Sequence, residues 1–179
     1  MPADATLFRV KTRVLTAQPL ELDEPIEDLE ARPLPKPQHP AQAIRDAFID
    51  GVDAVALTDV PLHAADLRQG LAALPEADAV AWLDPRPLGP STSGFRLREQ
   101  WVPAHVAAVL LRRHTWNALG NDVRSRRVRA AIVELTVRTK RVGLDVAYRN
   151  AQASPGWSIR EGGDVLRGWL SGFLLELGR

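Results

Sequence analysis

Apolar and polar residues alternate over Thr6 to Leu15 (TLFRVKTRVL), with Phe8, Val10, Thr12 and Val14 on one side and Leu7, Arg9, Lys11 and Arg13 on the other. A period of two with one charged side predicts a strand with a wet face, at or near a sheet edge. The period changes at Ala41 to Ile49 (AQAIRDAFI), where Ile44, Ala47 and Phe48 share one helical face and Asp50-Gly51 supplies the stop. Val52 to Leu57 (VDAVAL) then reads as a short buried strand. Ala64 to Leu74 is a helix with Leu67, Leu71 and Leu74 on one face, and Ala79 to Leu83 (AVAWL) is a second buried strand. Strand, helix and strand over 52–83 form the pattern of a βαβ unit.

Beyond the turn-rich segment 84–94, Phe95 to Val102 alternates as a strand. Pro103 opens a predicted helix that runs through Leu119 and stops at Gly120. The densest β-branched run lies between Arg124 and Asn150. Val133, Leu135 and Val137 alternate with polar residues, and after a short polar link Val142, Leu144, Val146 and Tyr148 do the same. That pattern predicts an antiparallel hairpin over about 128–149. The same letters also fit a helix, since Val128, Ala131, Ile132, Leu135, Val142 and Val146 stand near helical spacing. The hairpin is preferred, because β-branched residues lose side-chain freedom in a helix and Gly143 disfavours one. Ser154-Pro155-Gly156 predicts a turn and Trp157 to Glu161 a short strand. Asp164 is a candidate N-cap for a last helix, Val165 to Leu177, where Leu166, Trp169, Leu170, Phe173, Leu174 and Leu177 form an apolar stripe.

These elements predict an α/β to α+β fold with a small mixed sheet, the βαβ unit, the hairpin and a C-terminal amphipathic helix. Residues 1–16 are an N-terminal strand, 17–40 a Pro-rich acidic arm or linker, and 41–179 a single α/β domain. The arm holds six prolines and cannot be a long helix or a central strand. Its Leu20, Leu22, Ile26 and Leu29 stand among six acids, as docking residues that fill pockets on the fold or on a partner. Charge sharpens this division: residues 1–90 carry 8 Lys/Arg against 15 Asp/Glu, and residues 91–179 carry 15 against 7. The two halves can face each other, copies can pack head to tail, or the basic half can meet a polyanion. Cysteine is absent, which excludes disulfides and thiolate chemistry. The first residues carry no signal-peptide pattern and no apolar run reaches membrane-spanning length, so a cytoplasmic protein without a membrane partner is expected.

Candidate chemistry is sparse. The four histidines (His39, His63, His105, His114) have no metal-ligand spacing, and Ser91, Thr92 and Ser93 lie outside any nucleophile elbow. No catalytic residue, metal or cofactor is assigned from the residues alone. Arg112, Arg113, Arg124, Arg126, Arg127, Arg138, Lys140 and Arg141 are candidate contacts to a polyanion or a protein partner, with Trp101, Trp116 and Tyr148 among them. One stretch, Ala54 to Asp84 (AVALTDVPLHAADLRQGLAALPEADAVAWLD), resembles the middle of GT-A-type nucleotidyl- and glycosyltransferases. In those families a strand ends in an Asp that helps hold a metal–nucleotide pair, often followed by a D-x-P-L-like turn and a helix. Asp59-Val60-Pro61-Leu62 matches that place over about thirty residues. The families also open with a strand and a Gly-rich nucleotide loop, whereas the first fifty residues here contain no glycine. The leading expectation is a non-catalytic subunit of a larger assembly, docking on other subunits or on copies of itself through the arm and the C-terminal helix. A nucleic-acid-binding accessory protein using 96–149 is the alternative, and an atypical GT-A-like transferase centred on Asp59 the second.

Overall fold

In a computed structural model, residues 9–17, 20, 22, 24–34, 38–83, 94–97, 100–103, 105–151 and 159–174 are described. The class is mixed α/β, as the sequence predicts. Six strands form one sheet: β1 (Thr12–Thr16), β2 (Leu29–Pro33), β3 (Ala54–Thr58), β4 (Ala79–Leu83), β7 (Val106–Arg112) and β8 (Val146–Asn150), in the order β2-β1-β3-β7-β4-β8. Neighbours run parallel except at β7, which is antiparallel to both β3 and β4. A separate antiparallel pair, β5 (Gly94–Leu97) and β6 (Gln100–Pro103), stands where a single strand is expected from the sequence.

The first half follows its sequence pattern closely, with two corrections. Helix α1 (Pro40–Ile49) starts at a proline in its first turn, takes a cap from the His39 ring to Ala41 N–H, and stops before Gly51 at φ 85°. Helix α2 (Ala64–Ala73) lies between β3 and β4, as the βαβ pattern requires, but β7 is inserted between those two strands. Strand β1 lies next to the edge but has no wet face: β2, supplied by the arm, covers its outer side and all five of its residues are buried. Arg13 is buried with it, which is tolerable because Glu30 on β2 (2.8 Å) and Asp50 after α1 (2.6 Å) both pair with its guanidinium. The arm is therefore part of the sheet. Pro33 is admitted because β2 is an edge strand.

The second half needs larger corrections. The helix expected from Pro103 to Leu119 does not form: Pro103 ends β6, and β7 is followed by the short α3 (Arg113–Ala118). Val106 to Leu111 are buried on both faces of a central strand, so their unbroken apolar run carries no alternation to betray it. The expected hairpin over 128–149 does not form. Its first limb is α4 (Val128–Arg141), and its second is β8, which pairs with β4 instead. Thr136 and Thr139 return their hydroxyls to the Ile132 and Leu135 carbonyls at 2.9 and 2.8 Å, which satisfies these polar groups inside the helix. Gly143, at φ 83°, ends the turn after α4. The last helix, α5 (Ile159–Leu174), starts before Asp164, which is no cap but an ion-pair partner of Arg127 at 2.6 Å. Among the described residues no helix is long and apolar enough to cross a membrane.

The sheet separates two apolar layers. On one face α1, α3 and α4 bury Ile44, Phe48, Trp116, Ile132 and Leu135 against Val55, Leu57 and Val109. On the other, α2 and the arm cover Val14, Ala56 and Trp82. Helix α5 packs outside α4 through Val165, Trp169 and Phe173 on Val133 and Val137. Its approach depends on glycine: a Cβ on Gly168 would fall 2.2 Å from the Ala130 carbonyl oxygen. Alanine favours a helix over glycine by about 1 kcal/mol, but overpacking a backbone contact costs about 1–3 kcal/mol. Gly168→Ala is therefore expected to lower stability in urea unfolding. Gly163→Ala, where nothing lies within 4 Å of the added atom, is expected to leave it level or raise it. A Gly168 variant as stable as its Gly163 counterpart would remove this helix contact.

Candidate functional site at the carboxyl edge of the sheet

From β1 the chain turns outward to β2 and then returns through α1 to β3, on the opposite side of β1. The chain leaving β3 passes instead through α2 toward β4, so the carboxyl ends of β1 and β3 mark a reversal of direction in the sheet. In open α/β sheets ligands bind at such a reversal. Here a ligand crevice would be bounded by Thr16-Ala17 and Thr58-Asp59. Ala17 N–H donates to the Thr58 carbonyl at 3.1 Å, and Asp59 N–H to the Ala107 carbonyl at 3.1 Å. The Thr58 hydroxyl donates to the Val60 carbonyl at 2.5 Å and stands 3.2 Å from Val60 N, which tightens the loop leaving β3.

Asp59 meets an arginine there that the sequence did not single out. Arg129, in the first turn of α4, is 2% exposed. Its Nε donates to Asp59 Oδ2 at 2.9 Å and its Nη1 to the Val106 carbonyl at 3.3 Å. The Asp59 side chain remains 22% exposed, so a partly exposed carboxylate at this edge is backed by a buried guanidinium. The same loop carries His63, whose N–H donates to the buried Asp66 carboxylate at 3.1 Å where α2 begins. His105 precedes β7 at this edge and is half-buried. Among the described residues no group of three or more His, Asp or Glu can hold a metal ion.

The other sequence candidates are dispersed. Leu20, Leu22, Ile26 and Leu29 are half-buried and pack on the protein's own core beside Leu67 and Trp82. Arg138 is no surface contact: it is 4% exposed, donates to the Leu119 carbonyl and, at 2.5 Å, to that of Asp122, and lies 3.5 Å from buried Glu134. Glu134, also not anticipated, accepts from Arg124 N–H, Ser125 N–H and the Ser125 hydroxyl at 2.7 to 2.9 Å. Arg113 donates to the Phe48 and Val52 carbonyls, Arg127 pairs with Asp164, and Lys140 and Arg141 stand over the Tyr148 and Phe173 rings. Arg112 is half-buried at the end of β7. Arg124 and Arg126 are exposed and line a shallow recess of about 400 Å³ with His39 and Arg45. Folding thus uses much of the basic half internally, against the domain's own Asp59, Glu134 and Asp164, whereas Glu24, Glu27 and Glu30 of the arm pair with Arg68, Arg9, Arg13 and Arg32 of the first half.

No protein-family model matches the chain, and a search of curated proteins finds no match. Among solved structures, the chain is similar to a protein of Desulfovibrio desulfuricans G20 proposed to be a nucleotide-diphospho-sugar transferase, with a TM-score of 0.41 and 18% identity over 68% of this chain. The match covers 47% of that protein, so this chain spans about half its length. The expectation that the chain is not an enzyme is corrected by this finding, since the structure it is similar to bears an enzyme's name. A likeness at this score carries no assignment of substrate or activity.

At the opposite end of the sheet, Asp78 before β4 is held below the usual carboxylate range. The hydrogen bond with the His114 ring (2.8 Å) is the largest cause, and the N–H of Asp145 (2.9 Å) adds to it. A carboxyl depressed in the folded state stabilises above its unfolded value, about 3.9, and this contribution is lost as pH falls through the folded value. Asp78→Asn is expected to lower the melting temperature at pH 7. Its gap to the wild type should close as the pH is taken below about 4. A gap that persists unchanged in acid would show that the carboxylate's charge is not what the contact uses.

Proposed function

We propose that this protein is a nucleotidyl- or glycosyltransferase of GT-A-like type that takes its nucleotide-linked substrate at the β1–β3 crevice, with Asp59 and Arg129 at its centre. The observation that carries the reading is the position of the pair. The Asp of the T-D-V-P-L turn leaves its strand at the topological reversal, partly open to solvent, with a fixed guanidinium behind it. The sequence resemblance around Asp59 supports the same place.

The departures from that resemblance change how phosphates would be held. A Gly-rich loop binds them with converging backbone N–H groups. Here the chain leaves β1 through Ala17-Gln18-Pro19, without glycine and with a proline that has no N–H to offer. The Asp59 carboxylate that a diphosphate would meet at this edge is instead neutralised by the buried Arg129 guanidinium. Transfer from a nucleoside diphosphate builds negative charge on the leaving oxygens, and a preorganised cation beside them lowers the barrier. Asp59 fixes the direction of that cation.

Calorimetric titration of the full chain with UDP-, GDP-, ADP-, CDP- and dTDP-linked sugars tests the reading, with amide shifts recorded at Thr16, Ala17, Thr58 and Val60. At least one class is expected to bind and to move those signals. Ala17 is exposed at the rim, so Ala17→Trp should fill the crevice without disturbing the fold and weaken binding about tenfold or more. No heat and no shifts with any of them, or binding that Ala17→Trp leaves unchanged, would contradict the proposal.

A further inference from the structure

We infer that the Asp59 carboxylate is not a metal ligand, because the Arg129 guanidinium already occupies and neutralises it. The inference deepens the reading above and relies on it only for the identity of the ligand. The GT-A resemblance implies an Asp here that helps hold a metal–nucleotide pair. Magnesium requires near-octahedral oxygen coordination at close range and gives up its waters reluctantly, so it needs carboxylates that are free to turn toward it.

The donor set does not fit that requirement. Asp59 Oδ2 accepts from Arg129 Nε at 2.9 Å. Arg129 cannot simply move aside: it is 2% exposed, rises from the first turn of a helix that is itself buried, and also donates to the Val106 carbonyl at 3.3 Å. A divalent ion on the Asp59 carboxylate would face this fixed like charge across one carboxyl group, in surroundings that screen it poorly. The neighbouring carboxylate of Asp66, in the first turn of α2, is 1% exposed and accepts the His63 N–H. Among the described residues no third acid or histidine completes a cluster. The counter-charge of the Asp59 carboxylate is thus covalently part of the chain, so an anionic ligand bound there meets a neutralised carboxylate without an accompanying cation.

The test has two separate arms. In the first, Mn²⁺ alone is added to the wild type and followed by paramagnetic broadening of the Thr58, Asp59 and Val60 amide signals. No selective broadening is expected up to about 1 mM, the weak end of carboxylate-built sites. Saturable broadening confined to those residues would overturn the inference. In the second, affinity for whichever nucleotide-linked sugar binds is measured with EDTA and with added Mg²⁺. The two values should agree, whereas a rise of about tenfold or more with Mg²⁺ would overturn it. If no such sugar binds at all, the transferase reading fails while the Mn²⁺ arm still decides the metal question.

Discussion

A helix covered on both sides must satisfy every polar side chain it carries, and this constraint on α4 orders much of the structure. The sheet lies against one side of it and α5 against the other. Arg129, Glu134, Thr136, Arg138 and Thr139 are nevertheless all buried on it. Leaving such a group unpaired costs about 1–3 kcal/mol, and more for a charge. Each therefore has an assigned partner: Asp59 and Val106 for Arg129, the 124–125 loop for Glu134, the 119–122 turn for Arg138, and the helix's own carbonyls for the threonines. Buried ion pairs add little stability relative to apolar replacements. Here the pairs fix where the helix sits, since a shift of one residue would break several of these contacts together.

Two ends of the molecule inherit their geometry from that placement. At the carboxyl edge, the first turn of α4 brings Arg129 to Asp59, so the chemistry of the β3 loop is set by a helix seventy residues further along the chain. Along its middle, α4 holds the 119–125 segment, and Arg45 of α1 reaches the same segment through the Asn121 carbonyl at 3.2 Å. The contact between β1 and the edge strand β2 follows a related rule. Arg13 is buried because Glu30 and Asp50 meet it, and both carboxyls lie below their usual range: Glu30 mainly through Arg32 and then Arg13, Asp50 mainly through Arg13. Those contacts tie the proline-rich arm to the sheet in a place where its prolines do no harm.

What the sequence made legible, and what it hid, follows from the same physics. Helices α1 and α2 and strand β4 announce themselves because each buries one face or is short and bounded by turn residues. The run Val106 to Leu111 is buried on both faces and loses its period, so a helix was read where a central strand stands. Helix α4 misled in the opposite direction: being covered on two sides, it buries Val133, Leu135 and Val137 alike, and consecutive odd positions imitate a strand. Asp59 was visible as a site because its turn has a recognisable order. Arg129 was not, because it stands seventy positions from its partner and one arginine among many in a basic stretch carries no mark of burial.

The central claim is that buried Arg129 depends on Asp59 and thereby sets the edge. A thermodynamic cycle with Asp59→Ala, Arg129→Met and the double variant, measured by urea unfolding, tests it most directly. Asp59→Ala strands a buried charge and should cost more than Arg129→Met, and adding Arg129→Met to Asp59→Ala should restore part of the loss, with a coupling of about 1–3 kcal/mol. Losses that simply add would contradict the claim and leave Asp59 and Arg129 as neighbours without a shared role.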